Sequence, residues 1–212
     1  MLAFALTILG IVSAPANIGI GSAVVDYVRP VLKSVGGAAR VNYAGICPAG
    51  ENRLLLPTVD AQPASQGTTG IAAVRQIFRD DPQVTVTQDQ SGILRITIGT
   101  VSTIVLQTRI PSLTLGPAAQ YTPKDAVYAI AISANNYAKA HRLNFGIAAT
   151  VLDVIERGPS NGAPHLPKLM QNVTVDEALD SLARTFNGIV LYGTCKMPDG
   201  KELFRLDYIY GS

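Results

Sequence analysis

The chain has 212 residues, of which 48% are hydrophobic and 15% are charged, and its formal net charge is +2. This hydrophobic content excludes a wholly disordered chain, and the scattered Lys and Arg residues form no cluster that would bind nucleic acid. After the N-terminus, no apolar run is long enough to span a bilayer.

The first 16 residues have the pattern of a secretory signal peptide. Residues 2–12 are apolar except for Thr7 and Gly10, and the Ala-Pro-Ala at 14–16 has the form of a signal-peptidase site. We therefore expect bacterial export to the periplasm or out of the cell, with a mature chain that begins at Asn17 and has no stable membrane span. Because no Lys or Arg precedes the apolar run, a buried N-terminal helix or strand is the alternative.

The next segment predicts a helix followed by two short strands. Apolar residues recur at helical spacing over residues 20–37, and Pro30 should kink or split this helix. Residues 41–47 and 53–56 are predicted strands around a Pro-Ala-Gly turn. The polar, small residues that follow, at 60–70, indicate a loop.

A similar unit comes next. Thr69 is placed to cap a short helix over residues 71–79. Residues 84–87 and 93–98 alternate in polarity on either side of a turn, which predicts a β-hairpin.

The middle of the chain combines a longer helix with extended segments. We predict a helical turn at 101–106, an extended segment at 109–115 and a helix over 123–140 that Pro123 begins. Residues 143–152 favour a strand over a helix because of their β-branched content. Three prolines and two glycines make 157–168 a surface loop.

The most clearly patterned part of the chain is residues 173–209. Thr174 and Glu177 have capping-box spacing ahead of an amphipathic helix, and Asn187-Gly188 predicts its end. Ile189 to Tyr192 then predicts a buried strand, and a Pro-Asp-Gly turn leads to an alternating strand that contains Tyr208.

The helix–strand–turn–strand pattern thus occurs three times, and it brings the two cysteines into equivalent positions. Tyr43 and Cys47 in the first unit correspond to Tyr192 and Cys195 in the last, with a slip of one residue. Equivalent strands of paired modules often lie side by side, so in an exported chain we expect a Cys47–Cys195 disulfide. Two independent buried thiols are the alternative.

These elements predict an α+β fold in which helix–strand–turn–strand units form small mixed or antiparallel sheets packed against helices. After the signal peptide, the expected organisation is an N-terminal region at 17–116 and a C-terminal region at 117–212, or one interlocked domain that contains both.

Reaction chemistry has little support in the residues. His141 and His165 are not at metal-ligand spacing, and no G-x-S-x-G elbow or complete phosphate-binding glycine motif occurs. We interpret the carboxylate pairs Asp80-Asp81 and Asp176-Glu177 as solvated or capping groups, and we expect no metal and no cofactor. Candidate binding features are the free edges of the hairpins at 84–98 and 189–209, and a surface that includes His165, Tyr208 and Tyr210. For Tyr192 and Tyr208, packing within a sheet is the alternative role.

The stretch V-T-V-D-E-A-L-D-S-L-A-R-T-F-N-G-I-V-L-Y resembles the short N-terminal domain shared by secretins and TonB-dependent receptors, often called STN. Residues 71–99 look like a second, weaker version. The residues that fit the STN pattern are Val173, Thr174, Ala178, Leu179, Leu182 and Ile189. The resemblance implies a small α/β sandwich that acts in the periplasm as a docking module for partner proteins, without catalytic residues, here as a stand-alone exported relative.

The sequence therefore predicts a non-enzymatic exported protein that binds an envelope protein partner. One alternative is a small hydrolase that uses His165 with Ser160 or Asp153. Another is a structural component of an envelope complex.

Overall fold

The computed structural model describes residues 16–148 and 163–210. The predicted signal peptide therefore lies outside the described residues except for its last residue, Ala16. The same holds for the predicted strand beyond residue 148 and for the first part of the 157–168 loop. Within the described ranges, no helix has both the length and the apolar character needed to cross a membrane.

Ten strands are described. In chain order they are β1 (Ala16–Gly19), β2 (Ala39–Ala44), β3 (Thr58–Ala61), β4 (Val84–Gln88), β5 (Leu94–Ile98), β6 (Arg109–Thr114), β7 (Phe145–Ile147), β8 (Leu169–Thr174), β9 (Ile189–Lys196) and β10 (Glu202–Ile209).

The α-helices vary in length from one turn to five. They are α1 (Ile20–Ala23), α2 (Arg29–Val35), α3 (Gly70–Ile77), α4 (Ile104–Gln107), α5 (Pro117–Tyr121), α6 (Pro123–His141) and α7 (Val175–Phe186), and a π-helical turn (Val24–Val28) joins α1 to α2.

The predicted α+β class is confirmed. One mixed sheet has the strand order β4-β5-β2-β9-β10-β7, and two antiparallel pairs, β1-β3 and β6-β8, lie beside it. Strands β5, β2 and β9 run parallel to one another, whereas β4 and β10 are antiparallel to their hairpin partners. The six-stranded sheet thus takes three strands from the predicted N-terminal region and three from the C-terminal region.

Two hydrophobic cores lie on opposite faces of this sheet. The first core joins Tyr192, Phe204 and Tyr208 to α4–α7 and to the β6-β8 pair. The second core joins Val41 and Leu191 on the other face to the helical segments α1–α3. Buried positions alternate between the two cores along β9 and β10 because successive side chains of a strand point to opposite faces.

Pro30 affects the first helix as predicted, but through a π-turn rather than a simple break. Proline has no amide hydrogen and crowds the carbonyl of the residue four positions earlier, which here is Asp26. The chain widens into a π-helical turn immediately before Pro30, and the amide of Arg29 donates to the carbonyl of Val24, five residues back. The helix then ends at Gly36, whose φ is 65°.

The strands around Cys47 differ from the prediction. β2 ends at Ala44, because at Gly45 the chain turns out of the sheet and passes so close to Leu54 that a Cβ atom would lie 2.5 Å from the Leu54 side chain. Ile46 forms an isolated bridge to Leu55, so residues 53–56 do not form a full strand. β3 instead begins after Pro57 and extends into the predicted loop, because β1 supplies its antiparallel partner.

The last unit is predicted most accurately. Thr174 accepts a hydrogen bond from the amide of Glu177, and the Glu177 carboxylate accepts one from the amide of Thr174, which completes the capping box. These hydrogen bonds lower the pKa of Glu177. Asn187 ends α7 in the left-handed conformation, with a φ of 48°. By contrast, Thr69 precedes α3 without forming a side-chain cap.

The free sheet edges differ from the expectation for the 189–209 hairpin. β9 lies between β2 and β10, and β7 pairs with β10 along Glu202–Phe204. Neighbouring strands therefore occupy both sides of the hairpin along these residues. Among the described residues β4 is an edge strand of this sheet. The side chain of Arg75 donates to the carbonyl of Val86 at 3.2 Å, which partly protects that edge.

Candidate functional site: a cleft at one end of the sheet

A cleft of about 540 Å³ opens where β2, β5 and β9 end and where β7 and β10 begin. In sheets with parallel strands, the carboxyl ends of the strands are the usual place for a ligand site, because the connecting loops diverge there. The polar residues that line this cleft are Thr100, Ser102, Asn144, Thr194, Lys196 and Glu202.

The loop after β5 forms one wall and is held to the end of the sheet by two hydrogen bonds. Gly99, with a φ of 68°, lets the chain turn as it leaves β5. The Ser102 amide then donates to Oγ1 of Thr194 at 3.4 Å, and the hydroxyl of Tyr192 donates to the Ser102 carbonyl at 3.2 Å. Burial raises the pKa of Tyr192. The wall is therefore fixed by groups that are themselves buried in the sheet.

The disulfide between Cys47 and Cys195 supports the neighbouring wall. The two Cα atoms lie 5.5 Å apart and the residues are 148 positions apart in sequence. Cys195 itself lines the cleft, and the amide of Gly45 donates to the carbonyl of Thr194 at 2.7 Å. The predicted disulfide thus ties the segment after β2 to the end of β9.

Glu202 is the most unusual residue in the cleft wall. It begins β10, its amide donates to the carbonyl of Asn144 at 3.0 Å, and only 9% of its surface is exposed. Its Oε1 atom is buried and has no hydrogen-bond partner among the described residues. Leaving a buried polar atom unpaired costs about 1–3 kcal/mol, and more for a charged group, so such an atom calls for an explanation.

Lys196 is the cross-strand partner of Glu202 in the β9–β10 register and also lines the cleft. Even so, the ion pairs formed within the described part of the chain do not include a Lys196–Glu202 contact. The two side chains are therefore neighbours without a direct ion pair within the described residues.

Apolar side chains surround the polar groups of the cleft. Ile104 on α4 and Leu143 after α6 line it, with 59% and 40% of their surfaces exposed. Val101 is partly buried and packs against the first core. The cleft consequently combines a buried carboxylate with an exposed apolar rim, an arrangement that suits a ligand with one polar end and an apolar body.

The predicted surface of His165, Tyr208 and Tyr210 is not the lining of this cleft. His165 is exposed and its ring lies 5.3 Å from that of Tyr121. Tyr208 is only 6% exposed and its hydroxyl donates to the carbonyl of Phe186 at 3.1 Å, so it is a core residue with no surface to offer a partner. Tyr210 is partly buried and meets Tyr208 edge-on, with ring centroids 5.3 Å apart.

The hydrolase alternative stays untested because Ser160 and Asp153 lie outside the described residues. His165 contacts an aromatic ring, and the ion pairs in the described ranges include no histidine. His141 is the last residue of α6 and stacks on Tyr137 at 4.1 Å. Within the described residues, no group of His, Cys, Asp and Glu side chains is arranged to hold a metal ion.

A buried cluster of charges that the sequence analysis did not identify lies under α7. Arg40 on β2 is completely buried and donates through Nη1 to Oδ1 of Asp180 at 2.8 Å. Arg95 on β5 donates to the other oxygen of Asp180 at 2.5 Å, and Asp176 lies 3.1 Å from Arg40. Burial lowers the pKa of Arg40 and raises that of Asp180, each against the attraction of the opposite charges. Asp176 therefore has a structural partner and is more than a helix-start residue.

The other carboxylate pair also has structural roles. Asp81 accepts hydrogen bonds from the amides of Asp60 and Gln83, both at 2.9 Å, and Asp80 accepts one from the side chain of Gln62. These contacts fix the turn between α3 and β4.

Glu202 carried a signal that sequence reasoning missed. It has the same strand parity as Phe204, Leu206 and Tyr208, which all face the first core. A glutamate at an inward position of an alternating strand indicates a buried carboxylate, and buried carboxylates are often functional.

Comparisons with protein-family models, with curated proteins and with solved structures found no match to this chain. The resemblance of residues 173–192 to the STN domain therefore stays a prediction.

Proposed function

We propose that this protein is an exported, non-enzymatic docking module that binds a protein partner in the bacterial envelope, and that the cleft at the end of the sheet is its binding site. The observation that carries the proposal is the unpaired carboxylate of Glu202 within a cleft whose rim exposes Ile104 and Leu143. A partner that covers the rim would bury apolar surface and supply the missing hydrogen-bond donor.

Export has independent support in the disulfide, because disulfides form and persist in oxidising compartments such as the periplasm. The apolar N-terminal run and its Ala-Pro-Ala site add a sequence argument for the same compartment. Cleavage after Ala16 would leave Asn17, the second residue of β1, as the first residue of the mature chain.

The cleft is a better docking site than the sheet edges that the sequence suggested. β4 has an exposed edge, but Arg75 already occupies the Val86 carbonyl there. The 189–209 hairpin is flanked by β2 on one side and, along Glu202–Phe204, by β7 on the other. Strand addition needs a row of free backbone groups, whereas the cleft needs only a side chain from the partner.

The test is site-specific photocrosslinking in the cells that produce the protein. The photoreactive residue p-benzoylphenylalanine is placed singly at Ile104 or Leu143 on the rim. We expect one discrete protein adduct from both rim positions, because a docked partner lies against both.

Tyr128 and Val35 are matched control positions, since they are 60% and 48% exposed and neither lines the cleft. The same adduct at equal yield from the control positions, or no adduct from the rim, would contradict the proposal.

A further inference from the structure

The cleft presents a carboxylate, Glu202, that forms no ion pair with its cross-strand neighbour Lys196 in the described part of the chain. Glu202 is about nine-tenths buried, and its Oε1 has no hydrogen-bond partner among the described residues. The terminal torsion of a glutamate side chain is broad and roughly two-fold, so rotation about it can turn either oxygen towards the cleft that this residue lines. The chemistry that complements such a group is a cation or a strong hydrogen-bond donor.

The other polar residues that line the cleft indicate which type of cation fits beside Glu202. Thr194, Ser102 and Asn144 offer separate hydroxyl and carbonyl oxygens as acceptors. An ammonium group carries three donors that can be shared among one carboxylate and such scattered acceptors. A guanidinium gains most when both oxygens of a carboxylate face it, and Oε1 of Glu202 is buried.

The apolar rim defines what carries the ammonium group. Val101, Ile104 and Leu143 can pack along an unbranched alkyl stem while the charged end reaches Glu202. We infer that this cleft binds a primary ammonium group on an alkyl stem, and that the occupant is a lysine side chain of the docked partner. The identity of the occupant rests on the proposed docking function, but the chemistry of the cleft does not.

The experiment is a two-dimensional amide NMR titration of the isotope-labelled full chain with n-hexylamine at pH 7. Hexan-1-ol and hexanoate, which share the same stem, serve as controls. We expect saturable shifts in the amides of Thr100, Val101, Ser102 and Thr194 with hexylamine, and dissociation constants about tenfold larger or more for both controls.

Glu202→Gln keeps the shape of the side chain but removes its charge, and we expect it to weaken hexylamine binding by about tenfold or more. A dispersed spectrum confirms that this variant folds. Ile104→Ser changes an exposed residue and leaves Glu202 intact. It should reduce the preference for hexylamine over propylamine, because only the longer stem reaches the rim.

Three results would overturn the inference. One is equal binding of hexylamine by Glu202→Gln and the unaltered protein, and another is equal binding of hexan-1-ol and hexylamine. The third is binding of hexylamine by Lys196→Met but not by the unaltered protein, which would mean that Lys196 satisfies Glu202 in solution.

A second experiment, with short peptides in place of hexylamine, tests whether the cleft binds a lysine side chain. A short neutral peptide with a single lysine should bind, whereas its norleucine counterpart should not, and its arginine counterpart should bind more weakly. Tighter binding of the arginine peptide would overturn the assignment to lysine. If rim crosslinks form equally well with Glu202→Gln, the docking function stands and the lysine inference fails. If hexylamine binds but the rim gives no adduct, the cleft chemistry stands and the docking function fails.

Discussion

At the residue scale, two tyrosines pack directly onto glycines, one within β9 and one immediately before it. The ring of Tyr43 on β2 covers Gly193, its register partner on β9, so closely that a Cβ atom there would lie 2.2 Å from the ring. Tyr208 covers Gly188 in the same way. Glycine weakens a strand by itself, and an aromatic side chain that lies across it restores the lost contacts. Burial raises the pKa of Tyr43, as expected for a phenol enclosed in the core.

Gly193→Ala should therefore destabilise the protein by about 3 kcal/mol, because the Tyr43 ring has to leave its position. Gly21→Ala in α1 is the matched control, since no atom lies within 4 Å of the added methyl group. The control should stabilise slightly, by about 0.5–1 kcal/mol, because alanine favours a helix. Urea unfolding followed by circular dichroism measures both changes, and equal midpoints for the two variants would refute this account of Gly193.

The residue patterns offered burial of Tyr208 only as the alternative to a binding role, and they did not indicate what this side chain touches. The alternation along β10 places Tyr208 on the core face, which is why its alternative role, packing within the sheet, is the one observed. The same alternation includes Glu202, yet only the loop after β5 and the segment before β7 make that position part of a cleft. Those two segments come from parts of the chain that are distant in sequence, so local patterns did not reveal the site.

At the element scale, α7 is held to the sheet by charge as well as by apolar contacts. Its apolar side, which includes Leu179 and Leu182, packs in the first core. Asp176 and Asp180 of the same helix form ion pairs with Arg40 on β2 and Arg95 on β5. These ion pairs connect the helix to two parallel strands. A buried ion cluster adds little net stability when it is complete but a large penalty when it is broken.

Asp180→Asn should destabilise the protein by about 3 kcal/mol, because it leaves the completely buried Arg40 guanidinium with weaker partners. Glu51→Gln is the control, since it breaks the Glu51–Arg53 pair, in which both side chains are about half exposed. Exposed pairs contribute about 0–1 kcal/mol. Chemical denaturation of both variants gives the two free energies of unfolding. If Asp180→Asn lowers the free energy of unfolding by less than the control does, the buried ion cluster does not contribute to stability as described.

Elements with strong local signals were the most predictable. The capping box, the apolar stripe and the Asn-Gly end define α7 within the sequence, and the turn at 89–92 defines the β4–β5 hairpin. The failures occur where a distant segment supplies the partner. β3 forms because β1 pairs with it, and residues 53–56 lack such a neighbour beyond the single bridge at Ile46.

At the scale of the whole molecule, the disulfide crosses the same strand pair that joins the two halves of the chain. β2 and β9 are parallel neighbours, and Cys47 and Cys195 follow the paired residues at their carboxyl ends. The correspondence of Tyr43 and Cys47 with Tyr192 and Cys195 predicted that these strands lie side by side, and this is confirmed. The parallel pairing of β7 with β10 was not predicted, because the position of β7 depends on how the preceding helix, α6, packs against the sheet.

Replacing both cysteines, Cys47→Ala with Cys195→Ala, should lower the free energy of unfolding by about 3–5 kcal/mol, because the crosslink closes a very long loop in the unfolded chain. Reducing agent should lower the stability of the unaltered protein by a similar amount and leave the double variant unchanged. Mass spectrometry of the non-reduced protein should identify a Cys47–Cys195 peptide. Free thiols after purification in air would contradict the assignment.

The strand order of the sheet also determines when each strand can pair during folding. β2 lies between β5 and β9, and about 150 residues separate it from β9 in the chain. During synthesis β2 therefore emerges long before its second neighbour and keeps one edge unpaired until the C-terminal hairpin has been made. Such non-local pairing slows folding and leaves apolar strands exposed to aggregation meanwhile. The chain with β2 still unpaired on one edge, rather than the finished protein, is therefore the form most in need of a chaperone.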